Sequence, residues 1–131
     1  MSPGARQVSR RQARRTALVL LFQWDVTGQE LGSLYGAEVD PWALELARAV
    51  CTDAERLDAT ISEYAEDWTA DRLGAVERNV LRIALTELER GEVPMEVVLD
   101  EAVRLAKRYA SDDASRLVNG ILGRAVRERA A

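Results

Sequence analysis

Five arginines, Arg6, Arg10, Arg11, Arg14 and Arg15, precede the first acid of the chain, Asp25, and its single phenylalanine, Phe22, follows them two turns later. Guanidinium forks pair with phosphate oxygens and an aromatic ring gives a nucleobase a face to stack on, so this combination is suited to holding single-stranded RNA. In a helix advancing about 100° per residue, Arg10, Arg11, Arg14 and Arg15 cover an arc of roughly 140° that also contains Leu18 and Phe22. Ala13, Ala17, Leu20 and Trp24 point the other way, which predicts a basic solvent face backed by a small apolar one. Charge is segregated along the chain: residues 1–24 carry five bases and no acid, residues 25–71 two bases and twelve acids, and residues 72–131 eleven bases and ten acids, for a net charge of -4. Segregation of this kind is a statement about partners. From the residues alone three readings stay open: a nucleic acid, an acidic protein partner, or a solvated basic first turn with Phe22 tucked under a loop. A reader of B-form DNA is less favoured, because no short helix-turn-helix with a polar second helix is visible.

Other chemistry is thinly supplied. The chain has no histidine, which removes Ser-His-Asp and Cys-His triads and the common zinc sites and leaves carboxylates, hydroxyls and Lys107. The one cysteine, Cys51, falls on a predicted apolar stripe and reads as a buried structural thiol. Asp112-Asp113, Glu66-Asp67 and Asp71 match no calcium-loop spacing, and the first pair suits the start of a helix. Gly120-Ile121-Leu122-Gly123 has the bare GxxG spacing of an RNA-binding loop, but with apolar middle residues inside a helical pattern it predicts close approach of a neighbour instead. Trp24, Trp42 and Trp68 read as core or seam residues. No catalytic residue, metal site or cofactor is expected.

The elements that must position the arginines are all helical. Ala, Leu, Arg and Glu dominate, proline occurs only at 3, 41 and 94, and no alternating strand pattern appears. The predicted helices are Ser9 to Val26, Asp40-Pro41 to about Glu66, Gly74 or Ala75 to Arg90, Pro94 to Ala110, and Ser111 or Asp112 to about Arg129. A helix fragment is placed near Leu31 to Tyr35 and a short turn from Thr69 to Leu73. The second helix has the stripe Leu44, Ala47, Cys51, Ala54, Leu57, Ile61 and Ala65; the third is mostly apolar, leaving Arg78, Asn79, Arg82 and Glu89 as a free strip; the fourth turns Val98, Leu99, Ala102, Leu105, Ala106 and Tyr109 inward. One domain over residues 1–131 is expected, with residues 1–8 a disordered basic tail. No apolar run nears the roughly 20 residues of a membrane span, and Leu18 to Phe22 is too short for a secretory signal, so a cytoplasmic protein is expected.

The stretch DWTADRLGAVERNVLRIALTELERGEVPMEVVLDEAVRLAKRYASDDASRLVNGILG, Asp67 to Gly123, resembles the NusB family of transcription antitermination factors. Its DRL, ERNVLRIA, DEAVRLAK and LVNGILG segments follow the family's order and spacing, and RRQARRTALVLLFQWD is similar to its basic first helix. The resemblance implies an all-α fold of two three-helix subdomains sharing a hydrophobic seam, and no enzymatic activity. It implies binding to boxA-type leader RNA together with NusE, a small-subunit ribosomal protein, in a complex that joins the elongating RNA polymerase and supports transcription of ribosomal RNA operons. Carried onto this chain, the RNA-binding positions are Arg10, Arg11, Arg14, Phe22, Asp113 and Arg116, and Arg78, Arg82 and Glu89 are candidates for the NusE contact. Phe22 stands where many members have tyrosine, Asp100 where asparagine is usual, and Thr86 where an aromatic is usual; the stretch from Thr27 to Asp40 is short for the family. Some members self-associate, so a homodimer that hides the arginine face is the competing expectation.

Overall fold

The computed structural model describes residues 8–66 and 69–130. The expected disordered tail therefore lies, apart from Val8, outside the described residues, as does Trp68. Among the described residues there are five α-helices, most of them bounded by a residue that satisfies an orphaned backbone group. Helix α1 (Arg10–Thr27) is capped by Ser9, whose hydroxyl oxygen accepts a hydrogen bond from the Gln12 amide at 3.1 Å, and stops at Gly28 with φ 72°. Helix α2 (Pro41–Tyr64) starts where the Asp40 carboxylate accepts from the Ala43 amide at 2.9 Å. Helix α3 (Ala75–Arg90) is opened by Glu77, which reaches back to accept from the Gly74 amide at 3.1 Å, and closed by Gly91 with φ 67°. Helix α4 (Met95–Tyr109) follows Pro94, and α5 (Asp112–Ala130) begins where the Ser111 hydroxyl accepts from the Ala114 amide.

Helix α3 is the axis of the molecule: it packs against all four other helices, α1 and α2 contact each other on it, and so do α4 and α5. Its residues from Asn79 to Glu87 are buried without interruption. Around them lie Leu21 of α1, Leu46, Val50, Leu57 and Ile61 of α2, Val98 of α4, and Val118 and Leu122 of α5, all essentially without solvent contact. Helices α3, α4 and α5 form one three-helix group. In the other, α1 and α2 are accompanied by a 3-10 turn at Leu31–Ser33, shorter than the fragment expected from Leu31 to Tyr35. A second 3-10 turn at Ala70–Arg72 leads into α3.

Two stripes differ from expectation. In the first half of α2 the covered residues are Ala43, Leu46, Ala47 and Val50, while Leu44, Cys51 and Ala54 are only half-buried. That segment has apolar residues on two adjacent faces, and the face met by its neighbours is centred on Leu46 and Val50. Tyr109, expected inside, sits at the end of α4 and is 40% exposed.

Candidate nucleic-acid interface

The arginine run is divided between the core and the surface. Arg14 is buried: its Nε donates to Glu87 Oε2 at 2.7 Å and its Nη2 to Glu87 Oε1 at 2.8 Å, with side chains only 4% and 3% exposed. Its guanidinium also lies 5.3 Å from the centre of the Trp42 ring, and Arg10 stacks on the same ring at 4.4 Å. The expectation that Arg14 shares an open face with Arg10, Arg11 and Phe22 is thus corrected. The buried arc of α1 is wider than the small residues Ala13, Ala17 and Leu20 suggest, because Leu18 and Leu21 are buried too, and Arg14 falls between them in phase. Burial of its charge is tolerated because α3 supplies a carboxylate matched in geometry to the guanidinium fork.

Arg11 and Arg15 remain at the surface edge of α1, where they meet the C-terminal half of α4. Together with Glu101, Arg104, Leu105, Lys107 and Arg108 they line a cleft of about 370 Å³. Arg11 donates from Nε and Nη2 to the Glu101 carboxylate at 2.8 to 3.2 Å, a contact that raises the Arg11 pKa further, so it stays charged throughout. Arg15 Nε is buried with no hydrogen-bond partner among the described residues. Arg104 pairs with Asp100 at 3.0 Å on the exposed face of α4, and Lys107 lies 3.9 Å from Asp112. Further along α1 lies a separate apolar shelf of about 320 Å³ lined by Leu18, Val19, Phe22, Gln23, Val76 and Tyr109. Phe22 and Tyr109 are each 40% exposed, and Arg108 lies 5.5 Å from the Tyr109 ring. A groove of fixed cations beside two accessible rings can hold an extended polyanion whose bases stack. Arg15 belonged to the expected basic face although not to the positions the resemblance supplied, whereas Arg104, Lys107, Arg108 and Tyr109 were not among the sequence candidates. The signal for the last three was the basic-aromatic triplet Lys107-Arg108-Tyr109 at a helix end, obscured by assigning Tyr109 to the core.

The strip on α3 is not free. Asp25 of α1 accepts from Arg78 Nε at 2.8 Å, Asn79 Nδ2 at 2.9 Å and Arg82 Nη1 at 3.2 Å, while Arg82 also binds both carboxylate oxygens of Asp58 at 2.7 Å. Arg82 is 5% exposed and lies 5.6 Å from the Trp24 ring, and Asn79 is fully buried. Burial alone would raise the Asp25 pKa, but the hydrogen bonds from Arg78 and Asn79 and the charges of Arg78 and Arg82 outweigh it and hold the carboxyl below its usual range. Neither Arg82 nor Asn79 can reach a partner, and Arg78 is held by Asp25 and by the Ala70 and Leu73 carbonyls. Glu89 stays at the surface, bound by both Arg56 Nη atoms at 3.0 and 2.9 Å. Asp113 and Arg116 pair with each other at the start of α5. Arg116 lines a separate groove of about 480 Å³ between α4 and α5, with Leu99, Asp100, Val103 and Asn119. The glycine pair makes no close approach: a side chain at Gly120 would meet nothing within 4 Å, and one at Gly123 only Arg127 at 3.5 Å. Among the described residues no cluster of Cys, Asp and Glu is placed to hold a metal ion, and no helix is long and apolar enough to cross a membrane.

The chain is similar in sequence and architecture to transcription antitermination proteins. The NusB family model matches residues 11–127. A transcription antitermination protein NusB of Solibacter usitatus is 36% identical over 131 residues, covering 92% of this chain and 90% of that protein. One of Rubrobacter xylanophilus is 40% identical over 122 residues, with 88% of each covered. Among solved structures, T. maritima NusB superposes with a TM-score of 0.82 at 34% identity over 94% of both chains. A chain in a crystal structure of the antitermination factors NusB and NusE in complex with double-stranded RNA superposes with a TM-score of 0.81 at 30% identity, covering 91% of this chain and 96% of its own. With the helices in that arrangement and the match running through nearly all of them, the chain belongs to the NusB family.

Proposed function

We propose that this chain is an RNA-binding transcription antitermination factor that holds boxA-type single-stranded RNA along the α1–α4 cleft and acts with NusE. The observation that carries this reading is that the cleft lined by Arg11, Arg15, Arg104, Lys107 and Arg108 and the shelf with the exposed Phe22 and Tyr109 are built on the same two helices, with Arg108 of the cleft 5.5 Å from the Tyr109 ring of the shelf. The cations neutralise successive phosphates and the rings receive unstacked bases, which is binding chemistry and involves no reaction. Likeness to the chain found with NusE and RNA supports both ligands. With Arg78 and Arg82 engaged internally, the surface offered to NusE in this reading is the α4–α5 groove, and Met95 and Val97, on the same helix α4 but outside the groove's lining, are 41% and 43% exposed. In this reading Arg116 lines that groove and is paired with Asp113 at the start of α5, and the assembled complex joins the elongating RNA polymerase on ribosomal RNA operons in the cytoplasm.

The test is a titration of labelled boxA-type RNA and a scrambled RNA, with and without NusE, into the native chain and into Lys107→Ala/Arg108→Ala. The reading expects tighter binding of the boxA sequence, enhancement by NusE, and for the double variant a log-log salt slope shallower by roughly 1.4, about 0.7 for each lost phosphate contact. Equal binding of both RNAs and an unchanged slope would overturn it.

A further inference from the structure

One residue of the basic cleft has the wrong sign for its surroundings. Glu101 lies on α4 among Arg11, Arg15, Arg104, Lys107 and Arg108, and its side chain is 8% exposed. The other acids near the cleft, Asp100 and Asp112, are 61% and 70% exposed, so water screens them. Glu101 is not screened in that way, and a carboxylate beneath a polyanion site repels whatever the surrounding cations attract.

Its contact with Arg11 decides what it does. Arg11 uses Nε and Nη2, the side-on edge that grips a phosphate with two parallel bonds, and both go to Glu101. Arg11 is itself 56% exposed, so a phosphate can approach the guanidinium and exchange for the carboxylate. Two roles are conceivable for such a pair. If Glu101 only positioned Arg11, the end-on Nη1–Nη2 edge left toward solvent would grip phosphate at full strength; if it competes, the side-on edge is closed to phosphate and the paired charge weakens the grip of the other. Resting on the RNA-binding reading above, we infer that Glu101 is an internal counter-anion of the cleft, which competes with RNA phosphate for Arg11 and thereby sets how tightly any RNA is held. The Arg11–Glu101 pair is electrically neutral until RNA displaces the carboxylate. Generic attraction is held down, and the bases on the Phe22–Tyr109 shelf contribute a larger share of the selectivity.

The experiment compares the full chain with Glu101→Gln, Arg11→Gln and the double variant, using boxA-type and scrambled single-stranded RNA across a salt series. Removing one charge beside a phosphate site is expected to tighten binding of both RNAs in Glu101→Gln by roughly fivefold at 0.1 M salt, to steepen the salt slope by about 0.7, and to narrow the preference for boxA. Arg11→Gln is expected to weaken binding. The double variant, which removes both charges and leaves no buried carboxylate unpaired, is expected to bind more tightly than Arg11→Gln and more weakly than Glu101→Gln, since the phosphate contact and the anion that opposes it are lost together. It also keeps the test valid if a single variant folds poorly. Unchanged or weaker binding by a folded Glu101→Gln, or a double variant as weak as Arg11→Gln, would overturn the inference and make Glu101 a positioning residue. Loss of RNA binding in the native chain, or indifference to Lys107→Ala/Arg108→Ala, would instead remove the RNA-binding reading beneath it.

Discussion

Replacing Arg14 with alanine should unfold much of what holds α1 to the body, and should do so without removing a phosphate contact. Both members of the Arg14–Glu87 pair are almost without solvent, and the two bonds of 2.7 and 2.8 Å are the fork-on-carboxylate geometry in which a pair is held most firmly. Deleting one partner of such a pair costs about 3–5 kcal/mol, since the remaining carboxylate is buried and uncompensated. Loss of the contact with Trp42, 5.3 Å away, adds to it by a fraction of that. Against a total stability of roughly 5–15 kcal/mol for a domain of this size, about a fifth or more is removed, equivalent to a fall in melting temperature of about 10–20 °C. Urea unfolding followed by circular dichroism measures the loss. Arg14→Met paired with Glu87→Leu should recover most of it, because an apolar pair of similar volume carries no desolvation cost. At temperatures where Arg14→Ala remains folded, its RNA salt slope should equal that of the native chain. A variant as stable as the native protein, or one whose slope falls by about 0.7, would refute the burial argument and return Arg14 to the RNA face.

The remaining expectations concern the shelf, the polar network and the thiol. Phe22→Ala and Tyr109→Ala should each weaken RNA binding by about 1–3 kcal/mol while leaving the melting temperature nearly unchanged, as filter binding and thermal melts would show; a large stability loss with unaltered affinity would mean that the rings are packing elements. Asp25 titrates below its ordinary value of 3.8 in the folded chain, so its contribution is complete above the unfolded pKa and is lost as pH falls through the lower folded value. Asp25→Asn should therefore lower stability at neutral pH and flatten the decline from about pH 4 downward; an acid limb identical to that of the native chain would contradict this. Burial pushes the Cys51 thiol up to about 11, with Arg82 opposing. Iodoacetamide at pH 7 should modify it slowly until urea unfolds the chain, and rapid labelling of the folded protein would refute the assignment.

Much of the fold was legible because its boundaries are written in local chemistry. Ser9, Asp40, Gly74, Pro94 and Ser111 announce helix starts, Gly28 and Gly91 announce stops, and each acts within a few residues of its own position. The site was less legible because its polar pairs span long separations. Arg14 meets Glu87 across 73 residues and Arg11 meets Glu101 across 90, so helical phasing of α1 alone could not tell the arginine that enters the core from the one that stays beside the cleft. For the same reason Arg82 looked like a surface residue on an otherwise apolar helix: its partners are Asp25 and Asp58, on two other helices. The misreading of Tyr109 has another origin, since the apolar period of α4 runs to its last residue but the core it would face has ended.

The Asp25 network and the Arg14–Glu87 pair fasten the two ends of α1 to the same helix, α3, yet none of these residues lines the cleft. Half of the cleft is thus carried on a lever whose attachments are polar and buried. In a cell, a substitution at Asp25, Asn79, Arg82 or Glu87 would appear as a termination defect, and a screen scored only by transcriptional output would map those positions as RNA contacts. Measuring the amount of folded protein alongside that output would reassign them to abundance.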